Sequence, residues 1–316
     1  MTLPESRQLD FDEIPVIDIG ALCAGVDTRE TIDEIDRACR DVGFFYIVGH
    51  GFDADLVSRL REAAGEFFDL PETNKKSLGL DPSMRGFLPL YYHSQISDSF
   101  AGTSHQEGFW IGADFDGDTR HPLEQANRWP QAPEKLRPCM LEYLSAIEKL
   151  AAVLGQALTT ALGQDDRFYA SHFARPTSRL KLNHYPPQHN PERVDNIGVV
   201  PHSDSGAFTI LWQDENGGLE VRTRSGEWVG APPLDGSFVV NIGDILQYWS
   251  NGRYSSTQHR VINRNDVDRY SIPYFVNPSA GVEISALDGS DSFEAFDYGE
   301  YQLSKWRSFF PVEESE

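Results

Sequence analysis

In "VVPHSDSGAFTIL", residues 199–211, a histidine and an aspartate stand two apart inside an apolar run. Residues i and i+2 of a strand share a face, so a strand here aims the imidazole of His202 and the carboxylate of Asp204 at one spot. Either each group is satisfied by its own hydrogen bonds, or the two share a metal ion and need a further ligand. His259, in "STQHRVINR", opens a later candidate strand and can supply it. Two imidazoles and one carboxylate cover one triangular face of an octahedron and leave three positions open, a donor pattern that suits non-haem iron(II). Zinc accepts the same donors but prefers tetrahedral closure with one open position.

Two more pairs keep the same spacing. Arg269 and Ser271 in "RYSIPYF" share a strand face. A guanidinium offers a planar fork to a carboxylate, and a serine hydroxyl adds a third hydrogen bond. The plain alternative for Arg269 is a surface salt bridge. Asn183 and Tyr185 in "NHYPP" are two apart on the strand that opens the same region, with His184 pointing the other way.

These residues need a scaffold of strands. From about 178 to 284 the pattern is one of short strands: "RLKLNHY", "AFTILWQ", "LEVRT", "EWVGAP", "SFVVNIG", "ILQYW", "HRVIN", "YSIPYFV" and "VEISAL". Turn signals such as "DENGG", "RSGE", "PPLDGS", "SNGR" and "NRND" separate them. Many short strands at close spacing predict a closed or double-sheet antiparallel architecture of the jelly-roll kind.

The first part reads as mixed helix and strand. Asp27 and Glu30 suit a helix start, followed by Ile32, Ile35, Ala38, Cys39 and Val42 at helical spacing and by Gly43 as a stop. "FFYIVGHG" reads as a buried strand and turn, 53–68 as a second helix ended by Pro71, and 133–162 as a long third helix. Residues 72–132, with Gly, Ser, Asp and His scattered through them, read as irregular segments and a short strand. A last helix is expected near 298–309. No internal repeat, low-complexity tract or long linker appears. A single α+β domain over 1–316 is therefore predicted: a mainly helical and irregular part (1–177), a jelly-roll core (178–284), then a helix and tail (285–316).

The chain has 316 residues, 40% of them hydrophobic and 12% aromatic, enough for a sizeable core. A formal charge of −22 argues against nucleic acid or an anionic membrane as partner, since both need a basic face. Three cysteines with no CxxC favour reduced thiols in a cytoplasm. The stretch "MTLPESRQLDFDEIP" lacks the basic and apolar regions of a signal peptide, and no 18-residue apolar run exists. The sequence says nothing about oligomeric state.

With the His202, Asp204, His259 set and the Arg269–Ser271 pair in this order, the chain resembles the iron- and 2-oxoglutarate-dependent dioxygenases of the isopenicillin N synthase type. The likeness runs through "IPVIDIG" (14–20), "DVGFFYIVGHG" (41–51), "FFDLPETNK" (67–75), "HQEGFWIG" (105–112) and "GDILQYWSNGRYSSTQHRV" (243–261). The resemblance implies a double-stranded β-helix with flanking helices. It implies Fe(II) on His202, Asp204 and His259, and 2-oxoglutarate held by Arg269 and Ser271 with help from Tyr185 and with Asn183 close by. Dioxygen is then the oxidant, and a small molecule is hydroxylated, desaturated or cyclised. Phe208, Ile210, Trp249 and Phe275 are candidates for an apolar wall around the site; each also suits plain core packing. Arg85 in "MRGFLPL" lies where the family has an arginine near the active site; it either grips an acidic substrate or is structural. His50 and His105 are expected to serve turns and packing.

Three other readings stand beside this one. A synthase-like oxidase would need no 2-oxoglutarate, but that synthase has a glutamine near its C-terminus, and here the last glutamine is Gln302 before "SFFPVEESE". An ethylene- and succinate-forming enzyme would fragment 2-oxoglutarate itself. A non-catalytic barrel would bind a ligand through a degenerate site.

Overall fold

The computed structural model describes residues 14–26, 28–90, 92–97, 100–187 and 197–309, with backbone alone at 92–97, 100–103 and 309. The chain first forms β1 (Val16–Asp18), α1 (Gly20–Ala24), α2 (Arg29–Asp41), β2 (Phe44–Val48), α3 (Ala54–Phe68) and α4 (Glu72–Lys76). Next come β3 (Gly86–Leu88), β4 (Tyr92–Ser97), β5 (Phe100–Ser104), β6 (Glu107–Gly112), α5 (Leu136–Ala161) and α6 (Asp166–His172). The strand-rich part holds β7 (Arg179–Tyr185), β8 (Val199–His202), β9 (Phe208–Gln213), β10 (Leu219–Arg222), β11 (Trp228–Gly230), β12 (Phe238–Ile242), α7 (Asp244–Trp249), β13 (His259–Val261) and β14 (Arg269–Val276). β15 (Glu283–Ile284), β16 (Phe296–Asp297) and α8 (Tyr298–Phe309) finish it.

Local chemistry accounts for the helices. The Asp53 carboxylate accepts from the Asp55 amide and caps α3. Leu56, Leu60, Ala63, Ala64 and Phe67 then form its buried stripe. The 26 residues of α5 bury Met140, Tyr143, Ile147, Leu150, Leu154 and Leu158 against α2, α3 and the sheet. For α2, the proposed cap Asp27 lies outside the described residues; Thr28 precedes the first turn without a side-chain cap bond.

Two sheets build the core. The larger runs β1-β2-β12-β9-β14-β7-β6-β3 and the smaller β11-β10-β13-β8. β1 joins β2 in parallel, and the pairings from β2 to β3 across the larger sheet are antiparallel. Phe44, Tyr46, Tyr185 and Val239 of the larger sheet pack on Leu219, Val221 and Val261 of the smaller one. The result is a double-stranded β-helix with helices on the outside of its larger sheet.

Strand alternation sorts the side chains. Leu180 and Leu182, Phe208 and Ile210, Phe238 and Val240, and Ile272 and Tyr274 point to the helix layer. Their neighbours Arg179, Lys181, Asn183 and Tyr185, Thr209 and Leu211, Asn241, and Arg269, Ser271, Pro273 and Phe275 line the space between the sheets. One register therefore decides what the interior of the barrel contains.

Two expectations need correction. "ILQYW" is not a strand but helix α7: Ile245, Leu246 and Trp249 are buried at helical spacing. The amides of Asp244 and Ile245 donate to the carbonyls of Asp204 (2.8 Å) and Gly206 (3.0 Å), turning the chain directly over the His202–Asp204 loop. Periodicity alone cannot separate a short apolar helix from a strand. The described residues of 72–132 hold four strands, and two of them, β6 and β3, extend the larger sheet beyond β7. The glycines that made this segment look irregular have a packing reason. A Cβ on Gly108 would sit 2.6 Å from Cε of Lys181, and one on Gly112 would sit 2.7 Å from Nη1 of Arg179.

Candidate active site

β8 ends in His202 and β13 begins with His259, and the two residues are register partners across the smaller sheet. The loop after β8 returns Asp204 beneath them. One ligand atom from each of the three lies within 4.8 Å of the others. Oδ1 of Asp204 stands 3.7 Å from Nε2 of His202 and 3.8 Å from Nε2 of His259. The imidazole centroids are 4.2 Å apart.

Each member is oriented by a second contact. Nδ1–H of His202 donates to the Val200 carbonyl at 2.8 Å, which leaves Nε2 as the free acceptor. Nδ1–H of His259 donates more weakly to the Thr257 carbonyl at 3.3 Å, and its ring sits edge-on to Phe44. Oδ2 of Asp204 accepts from the Thr209 hydroxyl (2.5 Å) and the Asn241 amide (2.7 Å), so Oδ1 alone faces the imidazoles.

The electrostatics suit metal binding. Burial, reinforced by the His259 imidazole, drives the His202 pKa down to about 4 against the pull of Asp204. His202 is therefore neutral and ligand-ready at ordinary pH. Burial alone would raise the Asp204 carboxyl. The two imidazoles and the Asn241 and Thr209 donors outweigh it and hold the carboxyl below its ordinary value. An ionised carboxylate beside the neutral His202 imidazole suits a divalent cation, whose ligands must be deprotonated.

Deeper in the same cavity, β14 and β7 put Arg269 opposite Tyr185 and Ser271 opposite Asn183. Arg269 is fully buried. Its Nε donates to the Gly217 carbonyl, its Nη2 makes a long contact to Gln213 Oε1 (3.5 Å), and its Nη1 has no partner among the described residues. The guanidinium lies 4.6 Å above the Tyr185 ring. Ser271 Oγ accepts from the Asn183 amide at 3.1 Å and stands 3.5 Å from the Tyr185 hydroxyl.

One cavity of about 180 Å³ takes in His202, Asp204, His259, Asn183, Tyr185, Arg269, Ser271 and Phe275 together. The other expected wall residues lie elsewhere. Phe208 and Ile210 point into the helix layer because the strand phase is one residue off; Thr209 and Leu211 face the cavity instead. Trp249, on α7, packs edge-on to Phe168, His172 and Phe173. Arg85 is fully buried outside the cavity, donating to Asn127 Oδ1, Ser83 Oγ and the carbonyls of Leu123 and Ala113. It is a structural arginine. His50 serves a turn, accepting from the Phe52 amide and contacting the Gly236 carbonyl.

Sequence reasoning missed Lys181, Thr209, Asn241, Trp110 and Trp306 in the lining. A signal existed for the first: Lys181 shares the strand face of Asn183 and Tyr185. Gln302 also lines the cavity, its Oε1 accepting from the Tyr298 hydroxyl at 3.0 Å.

Residues 176–278 match the 2OG-Fe(II) oxygenase superfamily, and residues 14–132 match the N-terminal region described as "non-haem dioxygenase in morphine synthesis". A homoarginine-6-hydroxylase of Glycine max is 33% identical, with 94% of this chain and 97% of that protein covered. A full-length Neurospora crassa protein solved in complex with alpha-KG superposes with a TM-score of 0.83 at 26% identity, covering 95% of this chain and 98% of that one. JOX2 in complex with 2OG, Fe and JA gives 0.78 at 30% identity, over 92% and 84%. The chain thus belongs to the 2OG-Fe(II) oxygenase superfamily and is an oxidoreductase that uses iron(II), 2-oxoglutarate and dioxygen.

Proposed function

We propose that His202, Asp204 and His259 hold the iron(II), that Arg269 with Ser271 and Tyr185 holds the distal carboxylate of 2-oxoglutarate, and that Asn183 borders the oxoacid. The observation that carries this reading is Nη1 of Arg269: a fully buried guanidinium nitrogen without a partner among the described residues, in the same cavity as the three metal-type ligands. A buried donor left unpaired is costly, and a carboxylate arriving there relieves it with a charge-assisted contact. Iron bound on the three ligands would supply the activation of dioxygen that couples 2-oxoglutarate decarboxylation to oxidation of a substrate C–H bond.

The residues of the chain have separable tasks. Thr209 and Asn241 fix Asp204 so that one oxygen is committed to them and the other to the metal position. Val200 fixes the His202 tautomer. Arg269 supplies the counter-charge that turns a five-carbon diacid end-on toward the metal position. Leu211, Leu219, Val261 and Phe275 keep the space apolar, which strengthens every charge interaction inside it. The substrate is a small organic molecule, as the names of homoarginine hydroxylase and of JOX2 with JA suggest by analogy. The cysteines Cys23, Cys39 and Cys139 are free thiols, which supports a cytoplasmic location. No helix among the described residues is long and apolar enough to cross a membrane.

Anaerobically purified protein should bind one Fe(II) per chain. His202→Ala, Asp204→Ala and His259→Ala should each lose it while the far-ultraviolet dichroism is kept, since the ligands line a cavity rather than the core. Unchanged iron stoichiometry in all three variants would end the assignment.

A further inference from the structure

The cavity is cationic inside an acidic protein. The chain carries −22, yet among the described residues the lining holds Arg179, Lys181 and Arg269 against one carboxylate, Asp204. On the reading above, iron(II), Asp204, dianionic 2-oxoglutarate and Arg269 together carry no net charge. Arg179 is saturated by backbone: it donates to the carbonyls of Thr177, Ser178, Ser83 and Leu123. That leaves Lys181.

Lys181 is only 6% exposed. Its Nζ makes one long contact among the described residues, to Gln106 Oε1 at 3.4 Å, and stands 4.8 Å from the Trp110 ring. Three ammonium donors in a buried site normally meet an acid, and no ion pair is formed here among the described residues. The chain also makes room for this side chain, since Gly108 is the position where a Cβ would press on Cε of Lys181. Around it lies an apolar cluster separate from the main core, in which Trp110 stacks on Phe275 (5.4 Å, 18°) and packs with Trp306. Burial brings the Lys181 pKa down to about 7, only partly opposed by Asp204. An arriving carboxylate would raise it again and complete protonation.

We infer that Lys181 is a specificity-determining residue that binds a carboxylate of the substrate, whose apolar body lies along Trp110, Phe275 and Trp306. The inference rests on the 2-oxoglutarate reading above and adds the substrate class: an organic acid with a hydrophobic ring or chain, not a cation.

Anaerobic calorimetry of the Fe(II)- and 2-oxoglutarate-loaded protein tests this with matched sets. One set is 3-phenylpropionate, 3-phenylpropionamide and 3-phenylpropylamine; the others carry cyclohexyl and straight-chain bodies. In at least one set the acid should bind about tenfold or more tighter than its amide, with the amine weakest. Lys181→Met should erase that preference, and Lys181→Arg should keep most of it. The 2-oxoglutarate affinity, titrated separately, should stay within about twofold in both variants, because Arg269 is untouched. The inference is overturned if no acid binds, if acids bind no tighter than amides, or if the preference survives in Lys181→Met. If 2-oxoglutarate itself fails to bind, the Arg269 reading falls instead, and the same sets titrated into the iron-only protein still decide the role of Lys181.

Discussion

Replacing Thr209 by valine removes one hydroxyl and almost no volume. In the structure that hydroxyl donates to Oδ2 of Asp204 at 2.5 Å, beside the Asn241 amide at 2.7 Å. A buried hydrogen bond to a charged group contributes about 1.5–3 kcal/mol. Part of that loss is common to the metal-free and metal-bound states and cancels in the affinity. What remains is the worth of holding Oδ1 on the metal, typically about 10- to 100-fold in metal affinity for such outer contacts. A second effect points the same way. The donors help hold the Asp204 carboxyl below its ordinary pKa, so Thr209→Val raises that pKa and lets protons compete with iron at higher pH. Anaerobic competition against a chromophoric chelator, repeated as the pH is lowered toward the carboxylate range, should show the weaker affinity and an acid limb displaced upward. Wild-type affinity with an unmoved acid limb would mean that Thr209 merely packs, and that the second oxygen of Asp204 needs no restraint.

Two further outcomes follow from the same geometry. The metal-free protein should lose stability on acidification. The His202 pKa of about 4 lies below its ordinary 6.5, so between those values the unfolded chain binds a proton that the folded one refuses; stability then rises with pH across that window. The lowered Asp204 carboxyl adds a loss in the same direction as pH falls through its folded pKa. A melting temperature independent of pH from about 6.5 down to 4 would contradict this. Arg85→Ala should lower the melting temperature and leave the 2-oxoglutarate affinity of the folded fraction unchanged, since each buried acceptor it abandons costs about 1–3 kcal/mol; a selective change in ligand affinity would return Arg85 to the site.

Much of the scaffold was legible because barrel strands alternate and are cut by Gly, Asn and Asp turns. β7 runs over Arg179–Tyr185, the same residues as "RLKLNHY". The chemistry-bearing pairs were legible for the same reason, since a two-residue spacing survives any choice of register. Strand phase relative to the cavity was not. Helices cover one face of the larger sheet and a cavity hollows the other, so Phe208, Thr209, Ile210 and Leu211 give no sequence sign of which face is which. Arg85 misled because its partners are neutral, two of them backbone carbonyls and two an amide and a hydroxyl, so no acidic partner marks them in the sequence. Lys181 went unread because a strand lysine usually snorkels to solvent; its phase with Asn183 and Tyr185 was the clue.

The most direct test of the account is an anaerobic titration of 2-oxoglutarate into the Fe(II) protein, followed by visible absorption and calorimetry. A weak charge-transfer band should appear and saturate with one equivalent, and succinate should form slowly once oxygen is admitted. In Arg269→Leu the half-saturation should rise by about 100-fold or more, because a buried carboxylate loses its counter-charge; Arg269→Lys should recover only part, since an ammonium lacks the bidentate fork. No band, no heat and no succinate in the wild-type protein would contradict the account. Arg269 and Ser271 would then belong to the substrate's own carboxylate, as in a synthase-like oxidase.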